Sequence, residues 1–188
     1  MMDRVSDQPD AAPDAASTTA NRVRLLALIA VAVLVADIIT KAIAVAQLEG
    51  QEPVRIHGGL IYLQLLRNPG AAFSMATGFT WILSVIAIGV VVIIVRVARR
   101  LRSTGWAVAL GLVLGGALGN LMDRIFRAPG PLQGHVVDMV SPFAPNGEAF
   151  AVFNLADSAI SCGGVLLVVL ALLGHELDGS HHRKSADG

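Results

Sequence analysis

Four apolar windows dominate the sequence, roughly Val23–Ala46, Phe79–Val95, Trp106–Met122 and Val152–Gly174. Each approaches the ~20 residues a helix needs to cross a bilayer core. In hydrocarbon a spanning backbone must satisfy its own hydrogen bonds, which leaves helices or closed barrels. Windows of this length predict helices. The chain is 54% hydrophobic and 15% charged, against about 45–50% and about 25% in soluble domains. The first window has a rival reading as a signal peptide, because Ala44–Gln47 (AVAQ) mimics a small-residue cleavage site. Its apolar run exceeds the ~7–15 residues of such a segment, and Asp37 and Lys41 interrupt it.

Arginine and lysine set the expected orientation. Nine flank the N-terminus, the connection between the second and third windows, and the C-terminus; Arg55, Arg67, Arg124 and Arg127 lie on the opposite side. The positive-inside rule then places both termini in the cytoplasm. Residues 1–22 and 175–188 read as disordered cytoplasmic tails around a membrane domain at 23–174. The tail's His175-Glu176 and His181-His182 do not make a zinc motif, since Gly179 stands where the second histidine of H-E-x-x-H belongs. No metal or other cofactor is expected. Net charge is zero, so no bulk field invites nucleic acid. The single cysteine, Cys162, excludes a disulfide framework and reads as a small packing residue. Trp81 and Trp106 read as interfacial anchors.

The first external loop, about 47–78, carries β-branched and aromatic residues between Gly-Gly and Asn-Pro-Gly. It predicts short strands lying on the membrane surface. The second, about 123–151, is rich in proline and glycine and shows no period.

Charged groups within spans are costly and mark interiors or cavities. Asp37 lies fourteen residues into the first helix, about 21 Å along its axis, and Lys41 follows at i+4 on the same face. Asn120 lies about as deep in the third helix, with Asp123 and Arg124 beyond it. That helix also carries Gly111, Gly115 and Gly119 at four-residue spacing, with Gly116 adjacent, which permits close helix approach. In the fourth helix Asn154, Asp157, Ser158 and Ser161 form one polar stripe; Asp157 is roughly 8 Å in. Three helices therefore place polar groups in one layer, in the outer third of the membrane. Asp138, in HVVDMVSPF, lies in the loop leading to the fourth helix.

Each of these has a plainer reading. Asn154 and Asp157 could be an N-cap and its capping-box partner. Asp37 with Lys41 could be a neutralising pair. Arg124 with Asp123 could be an interfacial anchor, and Asn68-Pro69-Gly70 a turn. His57 and His135 have no partner at useful spacing.

The chain has no G-x-S-x-G, no P-loop and no histidine in a span, so serine, metal and nucleotide chemistry lack their parts. Carboxylates remain, and Asp138 with Asp157 is the best pair. Two aspartates sharing a proton can supply one base and one acid. A small transporter or a non-catalytic scaffold would share the intramembrane charges, but a transporter would favour internal repeats, and a scaffold leaves Asp138 without a role.

The blocks Asp37–Lys41 (DIITK), Arg67–Ser74 (RNPGAAFS), Gly115–Ile125 (GGALGNLMDRI), Val136–Met139 (VVDM) and Phe153–Ile160 (FNLADSAI) together resemble the lipoprotein signal peptidase, or signal peptidase II, family. They occur in the family's order across roughly 23–174. The resemblance implies four transmembrane helices with a small extracytoplasmic β-cradle between helices 1 and 2. It implies a metal-free aspartic endopeptidase of the bacterial cytoplasmic membrane. Such enzymes cut before the lipidated cysteine of diacylglyceryl-modified prolipoproteins and are inhibited by globomycin. By the same resemblance Asp138 and Asp157 match the catalytic dyad. Asp37, Lys41, Asn68, Gly70, Gly116, Asn120, Asp123, Arg124, Asn154 and Ala156 would organise the site or bind substrate. The enzyme is expected to act as a monomer in membrane lipid.

Overall fold

The structure, a computed structural model, describes residues 15–70 and 80–180. Ala71–Ser74 of the RNPGAAFS block, Phe79, residues 1–14 and the pair His181-His182 lie outside the described residues. Among the described residues four helices are long and apolar enough to cross a membrane: α1 (Ala15–Leu48), α2 (Thr80–Val97), α3 (Thr104–Phe126) and α4 (Leu155–Leu172). Three end within a few residues of their apolar windows. The exception is α1, whose helix begins at Ala15, inside the segment expected to be a disordered tail. With 34 residues it is about 51 Å long, well beyond the ~30 Å hydrocarbon core.

The most buried helix is α3, and its glycines explain why. One face meets α1: a Cβ on Gly111 would lie 3.0 Å from the Leu26 carbonyl oxygen, and one on Gly115 2.7 Å from that of Ala30. The adjacent face meets α4, where a Cβ on Gly116 would fall 2.4 Å from the Ala156 carbonyl oxygen. On α4, Gly163 makes the reciprocal approach, 2.8 Å from the Ala109 carbonyl. Backbones this close gain dispersion contact, a main source of helix association where lipid removes the hydrophobic drive.

Three strands form one antiparallel sheet in the order β1 (Val54–Ile56), β2 (Ile61–Asn68), β3 (Val136–Pro142). The expected cradle between helices 1 and 2 is therefore incomplete without a strand contributed from between α3 and α4. Asp138 sits on that strand, opposite Leu66, and not in a loop. No period betrayed β3 because both its faces are covered: Val136, Val137, Asp138 and Met139 are all buried, so apolar and polar residues do not alternate. The sheet rests on the C-terminal end of α1, where Val137, Met139, Leu65 and Val140 pack with Ala44, Val45 and Leu48.

At the opposite end of the bundle the chain after α4 turns back. The Leu177 carbonyl accepts from the amides of Arg102 and Ser103 at 3.0 and 3.1 Å. The Trp106 indole donates to the His175 carbonyl at 2.9 Å. Residues 175–180 are thus docked, although the sequence predicts a solvated tail from 175 onward.

Candidate active site

The dyad candidates come from different elements. Asp138 is carried by β3 and is 1% exposed; Asp157 is in the first turn of α4. Asn154 joins them. Its side-chain amide donates to Asp138 Oδ1 at 2.7 Å, and its backbone amide donates to Asp157 Oδ2 at 3.2 Å. In return Asn154 Oδ1 accepts from the Asp157 backbone amide at 3.0 Å. This is a complete capping box. The cap reading and the catalytic reading of Asp157 therefore coexist: the cap is what aims the carboxylate. Asn120 Nδ2 holds the other oxygen, Asp157 Oδ1, at 2.7 Å.

Asn68 holds Asp138 from β2. Its Nδ2 donates to Asp138 Oδ2 at 2.9 Å, while its Oδ1 accepts from the Gly70 amide at 2.9 Å. The turn reading of Asn68-Pro69-Gly70 and its site reading are again one feature, since the turn fixes which way the amide faces. Burial drives the Asp138 carboxyl up to about 7, and repulsion from Asp157 adds to this. The hydrogen bonds from Asn68 and Asn154, and the charge of Lys41, oppose the rise.

Behind the dyad lies a charged layer. Lys41, 1% exposed, sits 2.7 Å from Asp37 Oδ2 and 2.9 Å from Asp123 Oδ2, and donates to Asn120 Oδ1 at 3.1 Å. Asp37 Oδ1 accepts from the Ala156 amide at 3.0 Å, tying α1 to the start of α4. Gly119 faces Asp37, where a Cβ would lie 2.4 Å from Oδ2.

Asp123 and Arg124 do not act together as an interfacial anchor: Asp123 pairs with Lys41 and with Arg127 at 2.5 Å, and accepts from the Val137 amide at 3.1 Å. That last bond pins the residue next to Asp138. Arg124 instead turns toward the cleft, with Nη1 3.3 Å from the Asn120 carbonyl. It lies within electrostatic reach of Asp157 and Asp138, so it is no headgroup anchor.

A cleft of about 630 Å³ opens over the two carboxylates. Its lining combines polar residues, among them Asn68, Asn120, Arg124, Asp138, Asp157, Ser158 and Ser161, with Gly70 and the apolar Leu83, Val136, Phe150, Val152 and Phe153. Two acidic groups held by amides beside an apolar trough suit hydrolysis of an extended, partly apolar chain.

The family model for Signal peptidase (SPase) II matches residues 29–173. The chain belongs to the signal peptidase II family. Family members are aspartic peptidases, in accord with a site built on two aspartates. A lipoprotein signal peptidase of Rhodococcus jostii is 54% identical over 178 residues, covering 95% of this chain and 87% of the relative. One from Mycobacterium avium is 53% identical over 166 residues, covering 88% of each. Two solved structures of a bacterial membrane enzyme share the fold. One has TM-score 0.67 at 27% identity, covering 86% of this chain and 93% of its own; the other has TM-score 0.65 at 30% identity, covering 79% and 92%.

Among signal peptidase II positions read from the sequence, the structure brings Asp138, Asp157, Asn68, Gly70, Asn120 and Arg124 to the cleft wall. Asp37, Lys41, Gly116, Asp123, Asn154 and Ala156 stand behind it, buried. The apolar wall was not legible, because Leu83 and Val136 look like any lipid-facing or core residue. Cys162, expected as packing, is exposed and lines the cleft. His57 and His135 stay outside it.

Proposed function

We propose that Asp138 and Asp157 are the catalytic dyad through which this peptidase removes signal peptides from prolipoproteins. The observation that carries this is the Asn154 bridge, which grips one oxygen of each carboxyl beside a single cleft. A dyad shares one proton at neutral pH and titrates as a unit. The high position of Asp138 supports giving it that proton.

Asp157 then takes a proton from a water as the water oxygen bonds to the scissile carbonyl carbon. The Asp138 hydroxyl donates to the carbonyl oxygen as it gains charge, and the Arg124 guanidinium lowers the cost of that charge. When the tetrahedral carbon expels its nitrogen, the proton held by Asp157 passes to the leaving amine. Lys41, Asp37 and Asp123 keep the layer rigid and move no proton.

The scissile bond is the one before the lipid-modified cysteine of a diacylglyceryl-prolipoprotein. The apolar wall of Leu83, Phe150 and Val152 suits a substrate that is itself anchored in lipid, and anchoring holds the peptide at one depth. The arginine distribution supports cytoplasmic termini and a site near the outer face. Globomycin-type inhibitors compete for the same cleft, and the enzyme acts as a monomer. The test is a gel-shift assay of the purified chain with a diacylglyceryl-modified prolipoprotein, with and without globomycin. A shortened, globomycin-sensitive product is expected; uncut substrate overturns the reading.

A further inference from the structure

The far end of the sheet is unlike the end that carries Asp138. Seven strand steps separate Asn68 from Ile61, about 23 Å at ~3.3 Å per step. At this end Leu60 is 59% exposed and Phe143 67% exposed. The two are joined by a hydrogen bond from the Phe143 amide to the Leu60 carbonyl, 3.0 Å.

Phe143 is held out deliberately. Its φ is 66°, and Asn146 follows at 57°; a bulky residue rarely adopts this left-handed backbone, and such outliers persist only where their surroundings impose them. Buried polar groups do so here. Ser141 Oγ donates to the Ala144 carbonyl at 2.7 Å and accepts from the Gly147 amide at 3.1 Å. Gln64 Oε1 accepts from the Asn146 amide at 2.8 Å. The fold thus fixes an apolar ring where water would otherwise surround it.

A cationic notch lies at the same end. Gly59 leaves room for two polar groups to converge: a Cβ there would sit 2.8 Å from Arg55 Nε and 3.0 Å from the Tyr62 hydroxyl. Arg55 and Tyr62 are register partners across β1 and β2. Arg55 donates to the Gly58 carbonyl at 2.5 Å and has no ion pair among the described residues.

The sheet packs on the end of a membrane-spanning helix, which brings it to the level of the bilayer surface. A planar donor fork and a phenol suit a phosphate, and an exposed aromatic beside an aliphatic suits the acyl boundary. We infer that the Leu60/Phe143 tip with the Arg55/Tyr62 notch is a phospholipid-binding anchor that seats the outer end of the sheet in the adjoining leaflet. It would brace the strand that carries Asp138 against the membrane from which its substrate arrives.

The test uses the full chain in lipid nanodiscs. Phe143→Trp adds a fluorophore whose signal is read as the difference from the parent, which contains Trp81 and Trp106. The added emission is expected to be blue-shifted, quenched at least twofold by lipids brominated near the glycerol, and shielded from acrylamide. Quenching by acrylamide but not by brominated lipid overturns the inference, and neither readout depends on turnover or on the dyad. A second variant, Arg55→Gln with Leu60→Ser and Phe143→Ser, is expected to raise KM for a lipid-modified substrate at least threefold in vesicles. In detergent KM should not change, and kcat should hold in both. An unchanged KM in vesicles, or an equal rise in detergent, overturns it, the latter by pointing to contact with the substrate protein.

Discussion

Replacing Asp138 by Asn separates what its carboxyl does for stability from what it does for chemistry. The native carboxyl accepts from two amides, Asn68 Nδ2 at 2.9 Å and Asn154 Nδ2 at 2.7 Å. Neither donor can turn away cheaply, because the Oδ1 of each is held by a backbone amide, of Gly70 and Asp157 respectively. A substituted amide must point its NH₂ at one of them, which costs about 1–3 kcal/mol. Against this stands relief of an unfavourable charge. The carboxyl titrates near 7 folded against 3.8 unfolded, so the folded state binds more protons between those values and stability falls as pH rises through them. Above pH 7 the accumulated penalty is about 4 kcal/mol, at about 1.4 kcal/mol per pH unit. Near pH 4 it has vanished. Asp138→Asn should therefore be less stable than the parent near pH 4 and more stable by about 1–3 kcal/mol near pH 8.5, with no measurable turnover at either pH. Thermal melts of the detergent-solubilised pair across this range test it. Parallel stability curves, with the variant weaker by the same amount throughout, would refute the claim that burial holds this carboxyl high.

Activity of the parent should decline as pH rises through about 7, because the Asp138 proton that polarises the carbonyl is lost; a rate that keeps rising to pH 9 contradicts that role. Lys41→Met leaves buried Asp37 without its cation and Asp123 with Arg127 alone, and should cost about 3–5 kcal/mol, read by thermal melting or proteolysis. Gly119→Ala drives a methyl into Asp37, and Gly116→Ala one into the Ala156 carbonyl. Each should destabilise by about 1–3 kcal/mol and depress cleavage, whereas Gly164→Ala, which meets nothing, should not. Asn154→Ala loses the cap, worth about 1 kcal/mol, and with it the amide on Asp138 Oδ1 and the oxygen that holds the Asp157 backbone amide, while the backbone amide of residue 154 still donates to Asp157 Oδ2. Its kcat should fall more than that stability loss implies, because Asp138 loses one of its two donors, and a kcat within twofold of the parent would show that the bridge is incidental.

Most of the fold and site was legible because lipid leaves few solutions. Asp37, Lys41, Asn120 and Asp157 stand out where an apolar span should have none, and the rise per residue along each helix sets them in a single layer. The strand carrying Asp138 was hidden by its own burial on both faces. The partners of Asp123 were hidden because sequence neighbours such as Arg124 need not share a helix face, whereas Arg127 at i+4 and Lys41 from another helix do meet it. Phe143 and Phe150 carried no signal, since an exposed aromatic in a loop has no period. The plain readings of Asn154 as cap and Asn68 as turn proved compatible with the functional ones, because the backbone bonds that make the cap and the turn also orient the groups that hold the dyad.

The central assignment rests on two carboxyls, and one measurement addresses both. Purified Asp138→Asn and Asp157→Asn chains, each shown to be folded by melting, are incubated with a diacylglyceryl-modified prolipoprotein beside the parent. Complete loss of the shortened product in both variants, with the parent active, is the result the dyad requires. Substantial turnover by either variant would contradict it.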